Sequence, residues 1–125
     1  IPSEKREIFF VLSSICSNTV LIDERMPKFL EELTERKIPK IALTGNFTGP
    51  FADIEKMEDW KIQRLNELGI DFSKGAPHSE EIIFNKLPTF RGRYSIYTRG
   101  VLFVNGSSCS KGEALCALLE TTEYL

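Results

Sequence analysis

The sequence predicts an α/β domain in which helices flank a mostly parallel sheet. Three observations predict it. Apolar residues recur at helical spacing in several separate stretches. Short runs of consecutive apolar residues lie between those stretches, the form of strands buried on both faces. Two of these runs end on small polar residues, as a strand does when it delivers a polar tip to a site at its carboxyl end. Helices and strands in alternation imply a mostly parallel sheet covered by helices.

In chain order, Ile8, Val11, Leu12 and Ile15 predict an amphipathic helix over roughly 3–16. Thr19–Ile22 reads as a short extended segment. A second helix runs from about Met26 to Arg36, with Pro27 in its first turn and the stripe Met26, Phe29, Leu30 and Leu33. Ile41-Ala42-Leu43 is the first buried strand, ending in Thr44-Gly45-Asn46. A third helix, about 53–68, carries Ile54, Met57, Ile62, Leu65 and Leu68 on one broad face, with Gly69 as its C′ residue. The stretch 71–99 is irregular, broken by Gly75, Pro77, Pro88 and Gly92 around a short apolar run at Ile82–Phe84, and reads as a small insertion. Tyr94–Tyr97 and Gly100–Val104 are short strands. Ser110-Lys111-Gly112-Glu113 is a capping box that opens the last helix.

A chain of 125 residues is one domain's worth and buries roughly two thirds of its unfolded surface. Sixteen basic against eighteen acidic residues give a net charge of −2, which argues against the broad basic face of a nucleic-acid binder. The longest apolar runs fall far short of a membrane span. The opening Ile1-Pro2-Ser3 has no methionine and no signal-peptide pattern, so the expectation is an excerpt of a larger domain. Cys16, Cys109 and Cys116 fit no metal-ligand spacing and read as inert thiols, which favours a reducing, cytoplasmic location. The sequons Asn46-Phe47-Thr48 and Asn105-Gly106-Ser107 are read as chance.

Chemistry concentrates at two strand ends and one helix start. Thr44-Gly45-Asn46 and Asn105-Gly106 each follow a buried strand, the place where open α/β sheets bind ligands. A hydroxyl and a free N–H on a glycine turn can bond an oxyanion; the alternative is that Thr44 and Asn46 merely form a turn. Lys111 stands at the first position of a helix, where the macrodipole disfavours a cation by roughly 0.3–1 kcal/mol. An anion shared between its ammonium and the free N–H groups explains it better, and Gly112 lets the backbone approach closely. A solvated surface lysine is the alternative. His78 reads as a surface residue, Trp60 and Tyr94 as packing residues, and Lys74, Lys86, Arg91, Arg93 and Arg99 as a solvated basic stretch.

In combination these features resemble the haloacid dehalogenase (HAD) superfamily, whose domains are Rossmann-like. Ile41-Ala42-Leu43 ending in Thr44 is similar to its second motif. Val101-Leu102-Phe103 followed by Lys111-Gly112 is similar to its third. The resemblance runs from about Leu21 onward and is nearest to a bacterial HAD-like family without an assigned function. It implies a phosphohydrolase acting on a small phosphomonoester through an aspartyl-phosphate, with Mg²⁺ as cofactor. Thr44 and Lys111 would then be the catalytic residues, and Thr44, Gly45, Asn46, Lys111 and Gly112 the phosphate grip.

The chain departs from the superfamily at its first and fourth motifs. No Asp-x-Asp follows an apolar strand, and Asp23, the one aspartate after an apolar run, has Arg25 where the second acid belongs. Asp23 therefore reads as a helix-entry residue. No metal ligands are assigned, and the 125 residues alone are expected to be inactive. The alternative is a non-catalytic HAD-like protein that binds or interacts.

Overall fold

The computed structural model describes residues 5–6, 8–9, 12–13, 20–106 and 109–123. Of the expected first helix, Lys5, Arg6, Ile8, Phe9, Leu12 and Ser13 are helical, and Val11 and Ile15 lie outside the described residues. Of the expected extended segment Thr19–Ile22, Thr19 lies outside the described residues, and Val20-Leu21-Ile22 joins no ladder among them, with Val20 and Ile22 solvent-exposed.

Helix α1 spans Met26–Glu35, with Pro27 in its first turn. Asp23 prepares its entry, as expected: its carboxylate accepts from the Arg25 amide (2.9 Å) and guanidinium (2.8 Å), and its carbonyl accepts from Met26 N–H. The Arg25 bonds hold the Asp23 carboxyl below its ordinary value. At the other end Lys37 N–H donates to the Thr34 carbonyl and Ile38 N–H to that of Leu33, a Schellman closure with Lys37 at φ 58°.

Strand β1 is Ala42–Thr44. Helix α2, Met57–Glu67, starts later than expected because Phe51 and Ile54 close a tight bridge ahead of it. It ends in a second Schellman closure, with Gly69 at φ 82° as the sequence indicated. Strands β2 (Ile82–Phe84), β3 (Ser95–Thr98) and β4 (Val101–Phe103) follow, then helix α3, Lys111–Thr121.

The sheet order is β1-β4-β3-β2. β1 and β4 are parallel neighbours, Ala42 opposite Val101 and Thr44 opposite Phe103. β3 pairs antiparallel with both β4 and β2, so the sheet is mixed. This corrects the expectation of a mostly parallel sheet. The cause is local: Arg99 and Gly100 both take positive φ (48° and 79°), a two-residue hairpin turn that folds β4 directly back on β3. The stretch 71–99 supplies β2 and β3 and is continuous with the sheet.

The register sorts side chains into two layers. Tyr97, Leu102 and Phe84 share one face with Ala114 and Leu118 of α3. Val101 and Phe103 point to the other face and pack against Ile62 of α2. The result is a helix–sheet–helix sandwich around β4, whose three residues are buried. Burying such side chains stabilises the fold by roughly 1.5–3 kcal/mol each. A third cluster, Phe47, Phe51, Met57 and Phe90 with Ile8 and Trp60 beside it, sits beyond the end of β1.

Candidate functional site

Because β1 and β4 are parallel, their carboxyl ends open on one rim. Val104 N–H donates to the Thr44 carbonyl at 2.8 Å, carrying the pairing one residue past β4. Thr44, at the tip of β1, and the segment leading to α3 therefore leave the sheet side by side.

At the first tip, Thr44 Oγ1 accepts from Asn46 Nδ2 (2.9 Å) and more weakly from Asn46 N–H (3.3 Å). Thr44 and Asn46 thus do form a turn. Among the described residues nothing accepts the hydroxyl proton of Thr44 or the N–H of Gly45. Gly45 is exposed, and a side chain there would approach only the Val104 carbonyl, at 4.0 Å. The tip offers two donors to open space.

The second tip is different. Asn105 is 1% exposed and its amide is saturated. Oδ1 accepts from Thr48 N–H (3.2 Å), and Nδ2 donates to the carbonyls of Phe90 (3.1 Å) and Arg93 (3.0 Å). Its backbone N–H donates to Ser95 Oγ. Asn105 ties three chain segments together, and both amide hydrogens of its buried side chain are committed to them.

Helix α3 begins as its capping box predicts: Ser110 Oγ accepts from Glu113 N–H at 3.0 Å. That leaves the N–H groups of Lys111 and Gly112 without an acceptor among the described residues, beside the exposed Lys111 ammonium, which forms no ion pair among those residues. A side chain at Gly112 would meet only Ser110 Oγ, at 3.9 Å, so this helix start is open. A cation beside open N–H groups is the chemistry that an anion at a helix start requires. Thr44 and Asn46 touch each other; no hydrogen bond joins them to Lys111.

Among the described residues, clefts of about 310, 280 and 440 Å³ open on the surface, and these are not lined by Thr44, Gly45, Asn46, Lys111 or Gly112. The largest has Ile83 and Ile96 as its sheet floor and takes in Thr48–Pro50, Glu58, Arg93 and Tyr94. Glu58 is 7% exposed and accepts from Gly49 N–H at 2.9 Å. Sequence reasoning missed it; an acid in a helix's first turn was the available signal, but that is also where any surface helix places one. Tyr94 lines this cleft rather than the core, whereas Trp60 packs as expected, with Arg64 over its ring. His78 is partly exposed, and its backbone carbonyl, not its imidazole, accepts the Tyr97 hydroxyl (2.6 Å). Arg91 lies over Phe47 and Phe51, and Arg99 pairs with Asp59, while both remain exposed as expected of a solvated basic stretch.

Among the described residues no three His, Cys, Asp or Glu side chains are grouped to hold a metal ion. Asp23 is engaged by Arg25. No described helix is long and apolar enough to cross a membrane.

A family model described as protein of unknown function (DUF2608) matches residues 7–125. The chain belongs to this family. It is 36% identical over 99 residues to an uncharacterised protein of Rickettsia bellii, covering 78% of this chain and 34% of the relative. An uncharacterised protein of Rickettsia prowazekii is 34% identical over 110 residues, covering 84% and 37%. One of Rickettsia felis is 37% identical over 100 residues, covering 79% and 33%. The chain thus spans about a third of the length of these relatives. No solved structure matches it.

Proposed function

We propose that this segment is the phosphate-gripping rim of a Rossmann-like, HAD-type phosphohydrolase. The observation that carries the proposal is the parallel pairing of β1 with β4, which opens Thr44 and the approach to Lys111 on one rim. The Thr44 hydroxyl and the Gly45 N–H would donate to the phosphoryl oxygens. Lys111 and the two open N–H groups of α3 would neutralise its charge, the usual way such sites lower a phosphoryl-transfer barrier. Nucleophile and metal ligands would come from the remainder of the longer family members, since this segment supplies neither.

Two outcomes follow for the chain as it stands. It should not hydrolyse a phosphomonoester with Mg²⁺, and turnover lost in Asp23→Asn would contradict that. Inorganic phosphate at millimolar concentration should raise its melting temperature, and Thr44→Val and Lys111→Ala should each reduce the rise. A rise unchanged in both variants would reject the grip. The reading of a non-catalytic binding protein draws support from the Thr44–Asn46 bond, which a simple turn makes without a ligand. A full-length relative that binds phosphate yet turns over no phosphomonoester would select it.

A further inference from the structure

Strand β1 closes the sheet on a bare edge among the described residues. Ala42 N–H donates to the Gly100 carbonyl (2.9 Å) and Val104 N–H to the Thr44 carbonyl (2.8 Å), so Ala42 and Thr44 direct their backbone groups to β4. The alternation of a strand turns the N–H and C=O of Leu43 to the opposite side, where no described residue meets them. Proteins guard such edges with charges, prolines or bulges. Ala42-Leu43-Thr44 carries none of these within the strand, and Pro39 and Lys40 lie only ahead of it.

The side chains beside this edge are also unfinished. Leu43 is 36% exposed and shares a face with Leu102, which α3 covers. Between the residues that lead into β1 and helix α3 runs a groove of about 280 Å³, lined by Lys40, Ile41, His78, Tyr97, Leu115 and Leu119 among others. Helix α1 buries none of its residues: Met26 and Phe29, on its apolar stripe, are 41% and 52% exposed.

We propose that in the longer members of the family a further strand, supplied by polypeptide outside the matched segment, pairs with the β1 edge along Leu43 and sets apolar side chains into the groove beside Ile41 and Leu115. The lengths of the relatives name the occupant: about two thirds of each lies outside the match. The groove sets its chemistry, a strand with an uncharged, apolar face toward α3. The proposal does not depend on phosphate binding.

Amide hydrogen exchange tests it. In the 125-residue chain, Ala42 is hydrogen-bonded to β4 and should exchange slowly, while Leu43 should exchange as fast as a loop amide. In the full-length Rickettsia bellii protein, the residue aligned with Leu43 should be slowed by at least tenfold relative to Leu43 in the chain. Fast exchange there would overturn the proposal. So would slow exchange of Leu43 in the chain itself that grows with concentration alongside a doubled mass by light scattering, because the edge would then belong to a second copy.

Discussion

Asn105 is the residue whose sequence context and structural role differ most. From sequence it is a strand-tip amide followed by glycine, a candidate ligand on position alone. In the structure three of its hydrogen bonds hold the 46–50 and 90–93 segments against the end of β4. Asn105→Ala would leave the Thr48 N–H and the Phe90 and Arg93 carbonyls without that partner in a buried setting. The two carbonyls still accept each other's backbone N–H, so the Thr48 N–H is the group left orphaned, and the variant should lose about 1–3 kcal/mol in urea unfolding. Asn105→Asp should be no better, because it sets a carboxylate oxygen against the two carbonyls. A loss under 1 kcal/mol in both would show that the amide is dispensable. The sequence could not announce this role, since the partners lie 12, 15 and 57 residues away. Thr44 is the opposite case, placed by its own strand and legible from Ile41-Ala42-Leu43 alone.

Elements were legible where their signals were local. The capping box placed the start of α3, and Gly69 the end of α2. β1 and β4 are legible within a residue because both are short apolar runs, although only β4 is buried between neighbours and β1 lies at the sheet edge. β2 is legible only as an apolar run in an irregular stretch: three residues between charged flanks have too little pattern to register as a strand. The antiparallel β3–β4 pairing was missed because its turn is Arg99-Gly100, without the Asn-Gly or Asp-Gly that usually marks such a hairpin. Arginine at positive φ is a strain the sequence does not advertise. The same strain sits at Lys37, the C′ residue of α1. Glycine adopts that conformation freely, so Lys37→Gly should stabilise the fold by about 0.5–1 kcal/mol. Thermal unfolding checks this, and a lower melting point would mean that the Lys37 side chain makes a contribution exceeding the backbone strain.

At the scale of the whole molecule, the sequence yielded an α/β sandwich with two parallel strands opening on one rim, but not the mixed sheet that carries them. The difference does not touch the rim, because the antiparallel strands join on the far side of β4. The central claim is that one anion bridges the tip of β1 and the start of α3. The most direct measurement is a titration of the 125-residue chain with inorganic phosphate, following backbone amide shifts. The largest shifts should fall together at Thr44–Asn46 and Ser110–Gly112. Lys111→Ala should weaken the binding several-fold while leaving the fold slightly more stable, as removal of a cation from a helix start requires. Largest shifts elsewhere, or shifts at one cluster without the other, would contradict the claim.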